Sequence, residues 1–329
     1  MHATKFGEEI EQLTQDNMGQ VLKAAGMNWR VEQAPLFLGE RVNAWDEEGV
    51  TETHIPGSSQ VESHVANVRT DNGEVMAVVG RNYEVFQNRE LAELVLAVEE
   101  KSDAKLVEAG TLMGGRDVFF LLTNGRFNLP GDDVVETFHF FGNNHAGLRS
   151  INVLPTSHRP WCANILNAIV QGADKRGLRI WHTKNLRNRL NEALLAINVS
   201  EDATQAFQSR CEYLASLPVD DAAVKSYFKT VYDATYGEVP TIDEFSPKGD
   251  KQRQTRRQDA MEAWDKNLQK EVERMNGLPL TVWNAMNAVT EWADHDRRVV
   301  RKDERVHANV LGGSAKFKET AFRLAGAAR

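Results

Sequence analysis

The chain has 329 residues, 41% of them hydrophobic and 26% charged, with a formal net charge of −8. That is ample material for a core and more chain than one average domain, and the acidic balance excludes a generally basic nucleic-acid coat, so any polyanion has to be met by a local basic surface. The apolar runs fall short of the roughly 18 residues of a membrane span, the opening MHATKFGEEIEQLTQD lacks an apolar signal core, and two cysteines, Cys162 and Cys211, support neither a disulfide framework nor a cysteine-built metal site.

Residues 5–25 carry apolar Ile10, Leu13, Met18, Val21 and Leu22 at helical spacing and predict a short amphipathic helix. WRVEQAPLFL reads as an extended segment, and the acidic, turn-rich stretch 46–60 as a loop. HVANVRT and EVMAVVGRNYEVF flank Asp71-Asn72-Gly73, a hairpin signal because asparagine and glycine tolerate the positive φ of tight turns. Leu91, Leu94, Val95 and Val98 mark one face of a helix over 88–101. Two strands are expected around Gly114–Gly115 and two more around a turn at Gly142–Gly147. From Arg159 onward nearly everything reads as helical, starting with a helix over 159–171 and with breaks near 172–177, Pro218, 236–250 and NGLP at 276–279. The expected fold class is α+β: an N-terminal helical segment (1–29), an α+β core (30–235) holding one antiparallel sheet over 30–155, and a helical C-terminal part (236–329).

Positive charge gathers in four places. At the first, Arg149, Ser157, His158 and Arg159 surround the end of a strand, and Pro160 opens the next helix. A cation there opposes the helix dipole by a few tenths to about 1 kcal/mol, unless backbone N–H groups, Ser157 and Arg159 converge on one phosphate. The competing reading pairs Arg159 with a core carboxylate or stacks it on Trp161. The second place carries Lys175, Arg176, Arg179, Lys184, Arg187 and Arg189 around Trp181, the mix of fixed cations and an aromatic ring with which single-strand binders track a backbone and stack a base. Its competing reading is a solvated helix face with the tryptophan buried. The third, Lys248, Lys251, Arg253, Arg256 and Arg257, sits in an expected loop just before a helix. In the fourth, HDRRVVRKDER, acids offset part of the charge.

Catalytic motifs are absent: no GxxxxGK[ST], no GxGxxG after a strand, no HExxH and no GxSxG. MGGR at 113–116 is a strand-to-strand turn, His139, His145 and His158 lack metal-ligand spacing, and Cys162 reads as a packed residue just inside a helix. No cofactor and no metal are expected.

VGRNYEVFQNRELAELV, EAGTLMGGRDVFFLL, HRPWCANILNAI and TVWNAMNAVTEWADHDR followed by GGSAKFKETAFRLA occur in the order seen in a phage- and plasmid-borne family, DUF932. The chain resembles it from about residue 30 to the C-terminus. Arg159, Cys162 and Asn164 match the family's arginine, cysteine and asparagine, whereas Asn144–His145–Ala146–Gly147 stands where the family often has Asp-Gly-Ser. The resemblance implies a mobile-element protein in the host cytoplasm and carries no activity with it. The order hairpin, helix, strands, then a helix entered through basic residues is similar in outline to single-strand annealing proteins of the RecT and Red-beta type, which form rings or filaments and lay DNA along a basic groove.

The expected function is therefore single-stranded DNA binding and annealing by a homo-oligomer, with a phage nuclease or a host protein as further partner and no membrane. Its proposed nucleic-acid-binding residues are Arg149, Ser157, His158, Arg159, Asn164, Lys175, Arg176, Arg179, Trp181, Lys184, Arg187, Lys251, Arg253, Arg256 and Arg257. Annealing needs phosphate neutralisation and base exposure, and no catalytic group. A second reading is a protein-binding module that uses Trp264, Trp283 and Trp292; a third is an enzyme whose site is assembled from Glu136, His139 and Asp132–Asp133.

Overall fold

The apolar face over 91–98 and the alternating apolar residues over 106–141 set the frame because they must be covered. In a computed structural model that describes residues 2–5, 13–46, 49–158, 178–187, 204–243, 245–297 and 313–326, the chain is α+β, with antiparallel sheets in the N-terminal half and mainly helices after them. The single sheet expected over 30–155 is in fact two. β2 (Val31–Asp46), β3 (Gly49–Arg69) and β4 (Val75–Gly80) form one of three strands. The other has six, in the order β1 (His2–Lys5), β5 (Leu106–Leu112), β6 (Asp117–Leu129), β7 (Asp133–Asn144), β8 (Ile151–His158) and β9 (Leu178–Ile180), every pair antiparallel.

Several expectations change here. The described part of 46–60 is strand, Asp46 ending β2 and 49–60 lying in β3: Gly49 to Pro56 pair residue by residue with Asp46 to Gly39. Its β-branched Val50, Thr51, Thr53 and Ile55 favour extended backbone, and the ladder satisfies groups a loop would leave to water. The ribbon shifts register around Phe37, where a Cβ on Gly57 would overlap the Leu38 carbonyl oxygen, so glycine permits the close backbone approach. The helix expected over 5–25 shrinks, among the described residues, to α1 (Met18–Ala24), and His2–Lys5 instead adds an edge strand to β5. β9 interrupts the expected helical run after Arg159 by pairing with β8. The helix expected over 159–171 lies outside the described residues.

Other expectations stand. The Asp71-Asn72-Gly73 turn joins β3 to β4 with Gly73 at φ 72° and the Asn72 side chain accepting the Glu74 N–H at 2.9 Å. α2 (Asn88–Glu99) follows, and Glu90 accepts the Gln87 N–H at 2.8 Å, capping its first turn. After a helical stretch at 204–216, labelled α3, come α4 (Asp221–Tyr236), α5 (Lys248–Met275), α6 (Val282–Glu291), a π-helical turn at Trp292–Asp296 and α7 (Gly313–Ala325). The basic stretch 248–257 opens α5, where a loop was expected. Its Lys, Arg and Gln are strong helix formers once Pro247 has set the entry.

Three apolar clusters result, the smallest formed by Leu112, Phe119 and Phe140. One packs Met18, Leu22, Met27, Trp29, Leu91, Val95, Phe120, Phe141, Ile180 and others between α1, α2 and the six-stranded sheet. The second joins α3–α7 to the Leu129 and Val135 ends of β6 and β7, so helices on both sides of the 236–250 break share one core. No helix among the described residues is long and apolar enough to cross a membrane.

Glu99, at the end of α2, is 2% exposed. Its carboxylate accepts the backbone N–H of Leu13 at 3.1 Å and of Leu106 at 2.7 Å, joining the approach to α1 to the start of β5. Burial pushes its pKa up, against the two N–H donors and Lys105, which pull it down. Glu99→Ala leaves both N–H groups buried and unpaired, and the expected loss is about 2–4 kcal/mol by urea unfolding. Glu99→Gln keeps one acceptor oxygen and should lose about half as much.

Candidate nucleic-acid interface

β9 is short because only three residues pair with β8: Leu178 with Val153, Arg179 with Asn152, Ile180 with Ile151. From there the chain alternates outward and inward: Arg179 exposed, Ile180 buried, Trp181 exposed, His182 buried. This two-residue period places Arg179 and Trp181 on the outward side. Trp181 is 57% exposed, and Lys184 and Arg187 are also exposed. Inward anchors hold the segment in place. Ile180 and Leu186 enter the first core; the His182 ring stacks on Tyr83 at 4.4 Å and its Nδ1 donates to the Glu84 carbonyl at 2.9 Å. The Glu84 N–H returns a bond to the His182 carbonyl at 3.1 Å.

Arg187 is not free. Its Nε and Nη2 lie 3.0 and 2.9 Å from one oxygen of Glu90, and Glu84 is 3.8 Å away. These carboxylates fix the guanidinium while the side chain stays 61% exposed, which leaves donors for a further acceptor. Arg179 and Lys184 have no ion-pair partner among the described residues.

The remaining sequence-derived candidates are distributed differently. Arg149 is committed to Asp117, 2.6 Å away and almost buried, and Asp117 also accepts from Asn144 at 2.7 Å. Ser157 and His158 end β8, opposite Thr137 and Glu136 of β7. Arg159, Asn164, Lys175 and Arg176 lie outside the described residues. Lys251, Arg253, Arg256 and Arg257 are on α5, whose buried side belongs to the second core, whereas the β9 edge is anchored in the first. Arg253 donates to the Glu238 carbonyl at 2.8 Å, and Arg257 lies 3.9 Å from Asp233. The structure thus brings Arg179, Trp181, Lys184 and Arg187 together and leaves the α5 cations on another core.

The other candidate sets do not converge. Trp264 and Trp283 are buried in the helical core, and Trp292 packs against it. Trp283 donates to Asp133 at 2.7 Å, which gives Asp133 a structural partner. His139 is buried in β7. Asp294 in the π-helical turn meets the Lys318 ammonium at 2.5 Å with both side chains buried. Among the described residues no group of three or more His, Cys, Asp or Glu is placed to hold a metal ion. At the MGGR turn, Arg69 donates to the Gly114 carbonyl at 3.1 Å, and a Cβ on Gly115 would press on Arg69 and Trp29; the turn is packed.

Sequence reasoning missed a buried polar latch behind the β9 edge. Asn88 donates to the Met27 carbonyl at 2.9 Å and faces His145 Nε2 at 2.8 Å through its Oδ1. Asn67 donates to the His145 carbonyl at 2.8 Å, Asn143 to the Phe86 carbonyl at 2.7 Å, and the Tyr83 hydroxyl to the Asn144 carbonyl at 2.8 Å. GRNYEVFQN and GNNHAG are therefore the two halves of one network. Its only sequence signal was a run of amides and a histidine between strongly apolar strands.

With this geometry in view, the family model described as Domain of unknown function (DUF932) matches residues 75–311. The chain belongs to this family. The DUF932 region begins at β4, later than the start near residue 30 that the resemblance implied. It contains Tyr83, Asn88, Asn143 and His145 of the latch, the β9 edge and α3–α6, while Asn67 of the latch, α1, the β2–β3 ribbon and α7 fall outside it. No curated protein and no solved structure matches the chain.

The latch and sheet bury neutral imidazoles. Burial lowers the pKa of His145 to about 3, with His182 and Arg69 adding repulsion, and burial lowers His139 to about 4. His182 is lowered as well, its bond to Glu84 resisting the shift. Because the unfolded chain protonates these rings near pH 6.5 and the folded chain does not, the unfolded state binds more protons below that pH. Their contribution to stability is complete above about pH 6.5 and is lost as pH falls toward the folded values, by up to ~1.4 kcal/mol per pH unit for each ring. Thermal melts are expected to shift down steadily from pH 7 to pH 5, with a shallower slope in His139→Gln.

Proposed function

We propose that this DUF932 protein binds single-stranded DNA along the β9 edge and acts as a homo-oligomeric annealing protein in the recombination of a phage or plasmid, in the host cytoplasm. The observation that carries the reading is Trp181, a large ring 57% exposed between two cations, Arg179 and Lys184, that lack ion-pair partners among the described residues. Leaving that much indole in water forfeits burial. A base stacked on it recovers the contact, and the flanking cations neutralise the adjoining phosphates. The chain's net charge of −8 makes such binding local and salt-sensitive. Ser157 and His158 lie at the end of β8 away from the Ile151–Val153 stretch that pairs with β9, and the path does not use them.

The buried Trp264 and Trp283 remove the tryptophan surface that would have favoured a protein-binding module, so no second reading is advanced. Fluorescence anisotropy with a labelled oligothymidylate tests the proposal. Arg179→Ala with Lys184→Ala is expected to weaken binding about tenfold and to reduce the slope of log K against log salt by roughly 1.4, two single-strand phosphates at about 0.7 each. Trp181→Ala should cost about 1–3 kcal/mol with the salt slope unchanged. Wild-type affinity in both variants would remove the β9 edge from the path. Light scattering after gel filtration, with and without the oligonucleotide, reads the oligomer.

A further inference from the structure

A cleft of about 680 Å³ opens beside Arg187, between α1, the segment Met27–Arg30 and the first turn of α2. Its apolar wall is the half-buried Val85, backed by the buried Leu22, Met27 and Trp29, while Arg30, Arg89 and Arg187 supply guanidinium groups and Thr70 and Gln87 further polar atoms. We infer that this cleft binds one nucleotide of a single strand, its phosphate on Arg30, Arg89 and Arg187 and its base against the apolar wall. This deepens the proposed function and rests on it, because Arg187 belongs both to the cleft and to the segment that begins at the β9 edge.

Three observations support the assignment. The volume lies within the several hundred Å³ typical of small-ligand pockets, and the lining residues are mostly polar and charged, which suits a phosphate-bearing ligand. The cations are held in different ways that leave donors available. Arg187 uses Nε and Nη2 on Glu90, Arg89 uses Nε on Glu93 at 3.2 Å, and Arg30 is exposed with no ion-pair partner among the described residues. Glu90 is itself fully occupied, since its second oxygen accepts the Gln87 N–H at 2.8 Å. Its charge is thus spent within the protein, and Glu93 is the acid that an entering phosphate meets. Finally, the cleft floor is rigid: the Trp29 indole donates to the Gly26 carbonyl at 2.8 Å, its ring carries the Arg69 guanidinium at 4.4 Å, and the Gln87 side chain bonds Val31 on both its N–H and its C=O at 3.0 and 2.8 Å. A preformed site loses little conformational entropy when it binds.

The test uses the full chain, a labelled oligothymidylate and anisotropy across a salt series. Arg30→Ala with Arg89→Ala is expected to weaken binding about tenfold and to lower the salt slope by roughly 1.4, with the melting temperature unchanged because both side chains are exposed. Glu93→Gln removes the one repelling carboxylate and should tighten binding severalfold, a gain that misfolding does not imitate. If the arginine pair proves unstable, Glu93→Gln decides alone, and wild-type affinity in it overturns the cleft. Unchanged binding in the arginine pair, while Arg179→Ala with Lys184→Ala binds weakly, overturns the cleft and leaves the β9 edge standing. Wild-type protein that does not bind the oligonucleotide overturns both.

Discussion

The contact between Asn88 and His145 is the joint on which the described half of the molecule turns. Asn88 opens α2 and His145 sits in the turn after β7, so a single buried bond ties the helix covering the sheet to the turn at the sheet's end. A second bond from Asn88 reaches Met27, at the exit of α1. Around this pair, Asn67, Tyr83 and Asn143 donate to the backbone carbonyls of His145, Asn144 and Phe86. Buried polar groups are costly alone and stabilising when paired, so such a network admits one arrangement of its strands where an apolar core would tolerate several.

The β9 edge depends on that joint. Tyr83 bonds the turn with its hydroxyl and stacks His182 with its ring, and the neighbouring Glu84 exchanges two bonds with His182. The segment that presents Trp181 and Lys184 to solvent is thus pinned from within by residues belonging to the latch. A position-holding interior behind an exposed, chargeable rim is the arrangement a binding surface needs, since rigidity there limits the entropy lost on binding. The same α2 turn that starts at Asn88 supplies Arg89 and Glu90 to the neighbouring cleft, so edge and cleft share one support.

Arg149, Arg253 and Arg257 are drawn toward carboxylates or carbonyls of their own fold, and the Lys318–Asp294 pair is sealed inside the helical part. A cation already paired and half-buried offers little to a ligand, because its desolvation has been compensated locally. Arg30, Arg179 and Lys184, which lack ion-pair partners among the described residues, belong to segments anchored in the first core; Lys248 and Arg256 on α5 likewise lack one there.

The sequence by itself determined the α+β class, the Asp71-Asn72-Gly73 hairpin, the α2 helix and the strand pairs around Gly114–Gly115 and after β7, since these follow from local periodicity and turn chemistry. It also marked the Arg179–Arg187 stretch as cationic and aromatic. Only the tertiary structure decided that His2–Lys5 and Leu178–Ile180 close the two edges of the six-stranded sheet, whereas the strand at 49–56 and the helix opening at 248–257 follow from local pairing and propensity. Strand edges form where a distant neighbour offers its backbone, which no local pattern encodes. The same holds for side chains: whether an arginine is free or spent depends on the carboxylate that folding brings beside it. Asp117 claims Arg149 across 32 positions of sequence, while Lys184 has no ion-pair partner among the described residues.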